Sequence, residues 1–233
     1  MRFTCGISAA VLLAVTAAPA DGQSLNRATL TPRGGMISFD KASGIEPGVF
    51  VGVDLNYNVF NNLALGLAVE VARPTTRGED FIAQIKYGDT TFLFEVTQPI
   101  TVLTGGLNAR AEFAVGTRLT PFLMGGVGMY KVYLDPQAAS GHETFNGLLL
   151  NIGGGVNVSI REGIGLQLDV RDHIYTGYER DDLSPIAPQF RATRFVDDVP
   201  APPEAKETVH NIVLSLGFSF RPSRTAGGNA GGN

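Results

Sequence analysis

The sequence predicts an all-β protein: an eight-stranded antiparallel up-and-down barrel that crosses a membrane with its strands. Three observations lead to this prediction. Several segments of about ten residues alternate between apolar and polar side chains, as strands with one apolar face do. The links between these segments are alternately short and long, which is typical of membrane barrels. Lysine is scarce, with four lysines against fourteen arginines, whereas the water-facing strands of soluble β-proteins carry many charged side chains.

The N-terminus has the pattern of a secretory signal peptide. Arg2 precedes an apolar stretch at 7–18, and the Ala-Pro-Ala sequence at 18–20 fits a cleavage site. The apolar stretch is shorter than the ~20 residues that a membrane-spanning helix needs. We therefore assign residues 1–20 to a signal peptide, which removes Cys5, the only cysteine, from the mature chain. The other predicted segments are a lead segment at 21–33, a barrel at 34–221 and a disordered Gly/Asn-rich tail at 222–233.

The clearest strand lies at 48–59, where every second residue is apolar. Val49, Val51 and Val53 share one face, whereas the opposite face is mostly polar or small and includes Asp54. Seven other segments repeat this alternation in varying degree, the first of them weakly. The eight predicted strands are 35–42, 48–59, 63–73, 100–115, 122–134, 148–161, 164–178 and 209–220.

The links between the predicted strands fall into two sets. The tight links contain Asn or Gly, which tolerate the positive φ of short hairpins. The tight links are 60–62, 116–120 and 162–163, and the long ones are 74–99, 135–146 and 179–207. A fourth link on the long side, 43–47, is short. Because membrane barrels keep short turns in the periplasm and long loops outside, we expect both chain termini at the periplasmic end.

The direction in which the faces point decides between a membrane barrel and a soluble one. The polar faces carry charges of both signs separated by small residues, which suits the interior of a narrow barrel. The opposite faces, rich in Leu, Val and Ile, are then expected to contact lipid. A soluble barrel with these aliphatic side chains packed inside is the alternative. The predicted polar network of the lumen consists of Asp54, Glu70, Arg110, Glu112, Asp169 and Arg171.

Aromatic residues cluster towards both ends of the predicted strands. Membrane barrels carry aromatic girdles at the two levels of the lipid headgroups. The predicted girdle at the tight-turn end contains Tyr57, Phe60, Phe113, Phe122, Phe218 and Phe220, and the girdle at the long-loop end contains Tyr130, Tyr133, Tyr175 and Tyr178.

Taken together, these patterns resemble the small eight-stranded outer-membrane barrels of Gram-negative bacteria, the group that contains the OmpA barrel domain, OmpX and OmpW. The last strand reads NIVLSLGFSF, and its alternation closing on an aromatic resembles the terminal-strand signal read by the outer-membrane assembly machinery. The resemblance implies that Phe218 and Phe220 form this signal. It also implies an exported monomer in the bacterial outer membrane, with membrane lipid and the assembly machinery as partners. Members of the group usually end at that aromatic, whereas this chain continues.

Little in the sequence points to catalysis. The histidines His142, His173 and His210 lack the spacing of metal ligands, so we expect no metal and no cofactor. The net charge of −4 and the absence of a basic cluster argue against a nucleic-acid partner. We expect a non-catalytic barrel with a side-chain-filled lumen, acting through surface loops or in envelope integrity. The alternatives are a narrow channel for small or amphiphilic solutes, as in OmpW, and a lipid-modifying barrel enzyme that would use Ser140 and His142.

Overall fold

A computed structural model describes residues 28–134, 144–186, 190–191 and 203–221 of the protein. These residues form ten strands, and no helix among them is long and apolar enough to cross a membrane. The strands are β1 (Ala28–Ser38), β2 (Gly48–Phe60), β3 (Leu63–Ala72), β4 (Ile82–Tyr87), β5 (Thr90–Glu95), β6 (Ile100–Glu112), β7 (Leu119–Leu134), β8 (Thr144–Arg161), β9 (Ile164–Thr176) and β10 (Thr208–Phe220). Short 3-10 turns lie in the links at Lys41–Ser43, Gly78–Asp80 and Arg180–Leu183.

Eight of these strands close into one antiparallel barrel in the order β1-β10-β9-β8-β7-β6-β3-β2, and β2 pairs back with β1. This confirms the predicted eight-stranded barrel. Tight links join β2 to β3, β6 to β7 and β8 to β9 at one end of the barrel. At the other end, the long link between β3 and β6 contains β4 and β5, which pair only with each other as strands and form a hairpin.

The alternating side chains point as predicted, with the apolar faces outward. Leu67, Leu150 and Leu168 expose 53%, 39% and 45% of their surface, whereas Asp54 and Glu70 on the opposite faces expose 3% and 7%. A soluble barrel would bury the first set and expose the second. The apolar wall therefore has the orientation of a membrane barrel.

The first strand differs from its prediction, because β1 runs from Ala28 to Ser38 whereas the sequence pattern indicates 35–42. The alternation is broken by Pro32 and by Gly34 and Gly35, so periodicity alone places the strand too late. Pairing defines it instead, since β1 bonds to β10 on one side and to β2 on the other.

Other boundaries shift by a few residues, and one element was not predicted. The sequence pattern treats 74–99 as a loop, yet β4 and β5 form a hairpin there. Its turn has the expected chemistry, because Gly88 adopts a φ of 61°, and glycine leads the first central position of type II′ turns. The predicted signal peptide at 1–20 and tail at 222–233 lie outside the described residues and remain predictions.

The aromatic girdles contain fewer residues than predicted. Phe122, Tyr130, Tyr175 and Tyr178 are at most 2% exposed, so they pack inside the protein and contact no lipid. The first three occupy inward positions of their strands, and Tyr178 follows the end of β9. The predicted girdle residues that are exposed are Tyr57, Phe60, Phe113, Tyr133, Phe218 and Phe220.

Glycines on the inner wall allow neighbouring strands to approach closely. A Cβ atom on Gly128 would lie 2.1 Å from the carbonyl oxygen of Gly105 and 2.6 Å from the Cα of Gly106. We expect Gly128→Ala to destabilise the barrel by about 1–3 kcal/mol, because backbone atoms must move to make room. Gly125 on the same strand faces outward, and its Cβ would meet its nearest neighbour at 3.6 Å. Urea unfolding should therefore show that Gly125→Ala has little effect on the free energy of unfolding. An equal loss of stability in Gly125→Ala and Gly128→Ala would contradict this explanation.

Candidate functional site

The barrel interior contains three layers of side chains, stacked from the tight-turn end to the long-loop end. The middle layer is a cluster of buried ionisable side chains, which we call the ion cluster. It consists of Arg33, Asp54, Glu70, Asp169, Arg171 and His173, contributed by β1, β2, β3 and β9. A polar layer around Arg110 lies below it, and an aromatic and aliphatic layer lies above it.

Two arginines hold the three carboxylates of the ion cluster together. Arg33 Nε lies 3.1 Å from Asp54 Oδ1, and the Arg33 guanidinium also bonds to Glu70. Arg171 Nε lies 2.7 Å from Asp169 Oδ1, and Arg171 also bonds to Asp54. Asp54 therefore bridges both arginines. Because charge-assisted bonds are strongest where water is excluded, this cluster cross-links four strands through the centre of the barrel.

Arg33 was not among the predicted lumen residues, because the first strand was predicted to begin only after it. The side chain of Arg33 is fully buried and supplies a cation that the predicted set lacked. Its neighbours across the sheet are Gly52 and Gly217. A Cβ on Gly217 would lie 2.9 Å from the Cβ of Arg33. Glycines at matching positions of the two neighbouring strands are thus the sequence signal that could have located this arginine.

The polar layer connects to the ion cluster through Gln167. Arg110 donates from Nη1 to Gln167 Oε1 at 2.7 Å, and Gln167 donates from Nε2 to Asp169 Oδ2 at 2.9 Å. The Arg110 guanidinium also lies 3.0 Å from Glu112 and 3.6 Å from the centre of the Phe122 ring. The six predicted residues therefore fall into two groups, with Arg110 and Glu112 below the other four.

The upper layer is apolar, whereas the sequence pattern predicts inward faces that are polar throughout. Tyr130 and Tyr175 stack with ring centres 4.3 Å apart, and Phe50 and Val132 are buried in the same cluster. Loop side chains complete this cluster from above, namely Phe39, Ile45, Phe81, Tyr178, Leu183 and Ile186. Inward positions can be apolar here because the loops exclude water from them.

Two loops from opposite sides of the barrel meet above this apolar layer. The link between β3 and β6 supplies Gln98, whose Nε2 donates to the carbonyl oxygen of Leu183 at 3.0 Å. Ala83 in β4 forms a bridge with Arg191 of the link between β9 and β10. Tyr178 donates its hydroxyl to the carbonyl oxygen of Ser43 at 2.7 Å, which ties in the link between β1 and β2. We call this assembly the loop cap.

The loop cap contains a buried carboxylate whose ionisation should affect its stability. Burial raises the pKa of Asp80, although the nearby Arg180 and Arg77 lower it. The folded cap then binds a proton more tightly than the unfolded chain does, so its stability should fall as pH rises through that raised pKa. We expect hydrogen-exchange protection of the Val96 amide, which donates to Phe81, to decrease over that range. Asp80→Asn should abolish this dependence, whereas Asp181→Asn, at a 78% exposed side chain, should preserve it.

Among the described residues, the remaining candidate groups do not assemble into a reactive site. Ser140 and His142 lie outside the described residues. His210 pairs with Asp172 at 2.8 Å on the outward face of the barrel, and the side chain of His173 lies in the lumen, 3.6 Å from Glu70. Across the part of the chain that the structure describes, no group of three or more His, Cys, Asp or Glu residues could hold a metal ion.

Comparisons with known proteins agree with this architecture. Residues 7–221 match the family described as the outer membrane protein beta-barrel domain. Neisserial surface protein A is 13% identical with a TM-score of 0.53, over 84% of this chain and 97% of its own. The N-terminal barrel of Pseudomonas aeruginosa OprF is 12% identical with a TM-score of 0.44, over 85% of this chain and 100% of its own. Ail of Yersinia pestis, solved with the heparin analogue sucrose octasulfate, is 10% identical with a TM-score of 0.41, over 83% of this chain and 97% of its own.

The likeness to Neisserial surface protein A supports the fold, and the family match covers most of the chain. No curated protein sequence matches it significantly. The apolar outer wall, the closed eight-stranded sheet and the family match agree on one location. This chain is a protein of the bacterial outer membrane and belongs to the outer membrane protein beta-barrel domain family.

Proposed function

We propose that the protein is a non-catalytic outer-membrane barrel whose lumen is closed to solutes and that it acts at the cell surface through its loops. The observation that carries this proposal is the stacking of three layers of buried side chains, from Arg110 through the ion cluster to Tyr130 and Tyr175. An eight-stranded barrel is wide enough only for its own side chains. A solute would therefore have to displace paired charges and an apolar layer.

The hairpin of β4 and β5 is the part of the loops best suited to contact a partner. Ile85, Tyr87, Phe92 and Phe94 expose 50%, 81%, 47% and 49% of their surface. The pairing of Ile85 with Phe92 places all four on one face. Isolated two-stranded hairpins are marginally stable in water, and contiguous exposed apolar side chains mark interaction sites. We therefore assign surface attachment to this face of the hairpin.

Conductance tests the closed lumen. The purified barrel, inserted in a planar lipid bilayer, is expected to give no conductance above that of the bare bilayer. Steady ion-conducting steps from the unmodified protein would instead favour the narrow channel for small or amphiphilic solutes. Modification of added lipid by the purified protein would contradict the non-catalytic proposal and favour the lipid-modifying enzyme.

Attachment of whole cells tests the hairpin separately. Cells that display the protein are expected to adhere to hydrophobic and protein-coated surfaces, and to lose this adhesion when the four apolar residues of the hairpin face become serine. The matched control replaces Gln84, Lys86, Thr91 and Glu95 on the opposite face by serine and should adhere like the parent. Equal adhesion of both variants would exclude the apolar face of the hairpin as the attachment surface. If cells that lack the protein adhere like the parent but are more sensitive to detergent, this result would support the role in envelope integrity.

The other partners follow from the same proposal. Phe218 and Phe220 face outward at the end of β10, where the assembly machinery of the outer membrane would read them. We propose a monomer, because contact with membrane lipid is sufficient to cover the apolar outer wall without a second subunit. Replacing Phe218 and Phe220 by alanine should reduce the amount of folded barrel in the outer membrane, and unchanged folded levels would contradict an assembly signal.

A further inference from the structure

An apolar groove lies on the outer wall at the tight-turn end of the barrel. Its floor is one row of cross-strand partners, since Leu30 pairs with Leu55 and with Phe220, and Phe220 pairs with Ile164. The groove has a volume of about 700 Å³. Because tight turns face the periplasm, this groove opens towards the periplasmic leaflet of the membrane, which is where acyl chains would contact it.

Arginine side chains lie at the end of this row. Arg161 pairs with Ile164 in the sheet, and both Arg161 and Arg221 line the groove. The same two arginines, together with Arg118, line a second cavity of about 400 Å³ beside the β8–β9 turn. The groove and the cavity are therefore adjacent, with an apolar floor on one side and cationic walls where they meet.

The charges of this region leave an excess of cations. Arg221 is 3.7 Å from Glu112, and its Nε donates to Thr29 at 3.2 Å, so it is fixed in place. Arg118 and Arg161 form no ion pair with any described residue. Glu162 in the turn is the opposing carboxylate that lines both cavities. Two uncommitted arginines against one carboxylate favour a ligand with a net negative charge.

We propose that this groove binds one anionic phospholipid of the periplasmic leaflet. The headgroup phosphate lies against Arg161, which lines both the groove and the cavity and forms no ion pair with a described residue, because guanidinium groups bind phosphate through charge-assisted, bidentate hydrogen bonds. One acyl chain lies along the row formed by Leu55, Leu30, Phe220 and Ile164. This site is distinct from the proposed surface activity, since it lies at the opposite end of the barrel from the loop cap.

Native mass spectrometry of the full barrel, exchanged into a mixture of phosphatidylglycerol and phosphatidylcholine, tests the site. We expect one phosphatidylglycerol to remain bound in preference to phosphatidylcholine, and Arg161→Gln to weaken its binding roughly tenfold, as the loss of one such contact predicts. Lys131→Gln removes a cation from the long-loop half of β7 and should leave binding unchanged. Glu162→Gln removes the opposing charge and should strengthen binding of phosphatidylglycerol.

A photoactivatable acyl chain on phosphatidylglycerol gives a second measurement that requires only the unmodified protein. Crosslinks to β1 and β10 around Leu30 and Phe220 are expected. If Arg161→Gln and Lys131→Gln weaken phosphatidylglycerol binding equally, the lipid is attracted by surface charge in general, and this result would overturn the proposal. Crosslinks distributed around the whole wall, or weaker phosphatidylglycerol binding in Glu162→Gln, would also overturn it.

Discussion

Replacing Arg171 with alanine is expected to destabilise the barrel by about 3–5 kcal/mol, which is the typical cost of removing one partner from a buried ion pair. The side chain of Arg171 is 2% exposed and binds both Asp54 and Asp169. Its loss would leave these two buried carboxylates with Arg33 as their remaining cation within 4 Å. Because the protein contains no tryptophan, far-UV circular dichroism during urea unfolding is the suitable measurement.

Two further variants make this prediction specific. Arg118→Ala removes the same charge from an exposed position and should have little effect. Combining Arg171→Gln with Asp54→Asn removes a positive and a negative charge together, and it should recover part of the stability that Arg171→Ala loses. If Arg171→Ala and Arg118→Ala have the same free energy of unfolding, the ion cluster does not stabilise the barrel. The narrow channel would then become the better proposal.

The sequence was sufficient to predict the barrel because alternation specifies the strands locally. Each of the segments at 48–59, 63–73 and 209–220 contains enough alternating apolar residues to define its own strand and its outward face. Tight Asn- and Gly-containing links then require neighbouring antiparallel strands. Closure of the sheet follows from the need to satisfy every backbone group inside a membrane.

The ion pairs could not be predicted in the same way, because they depend on how the strands are staggered around the barrel. Arg33 reaches Glu70 from a position 37 residues earlier in the chain, and Arg171 reaches Asp54 across 117 residues. Alternation gives the face of a residue but not its depth in the membrane. For this reason Arg110 was grouped with Asp54, although its contacts lie with Glu112 and Gln167 in another layer.

The loop cap was missed for a different reason. Tyr130 and Tyr175 are aromatic residues near the strand ends, a pattern shared by girdle residues and by side chains packed under a loop. Only the position of the loops distinguishes the two, and loops above a barrel are placed by contacts such as Gln98 with Leu183. These contacts join segments whose sequences show no periodicity.

Introducing lysine into the outer wall is the second prediction with a large expected effect. Leu67 and Leu168 lie near the middle of β3 and β9. Leu67→Lys or Leu168→Lys should each cost ~2–4 kcal/mol, because the ammonium group would lie near the centre of the bilayer. Phe60→Lys, at the tight-turn end of β2, is the matched control and should cost ~0–1 kcal/mol, because charge is tolerated at the interface. Ala68→Lys faces the lumen and should act by disturbing packing, independently of bilayer thickness.

Urea unfolding of barrels inserted in lipid vesicles measures these differences, and vesicles of longer acyl chain should increase the cost at Leu67 and Leu168 but not at Ala68. Cysteine labelling gives an independent measurement. Cys5, the only cysteine of the sequence, lies within the predicted signal peptide, so an introduced cysteine would be the only thiol of the mature barrel. A cysteine at Leu67 or Leu168 is expected to resist water-soluble thiol reagents in vesicles, whereas one at Gly88 in the extracellular hairpin should react. Rapid labelling at Leu67 and Leu168 in folded, vesicle-inserted protein would mean that this wall contacts water, and the orientation of every barrel strand would have to be reversed.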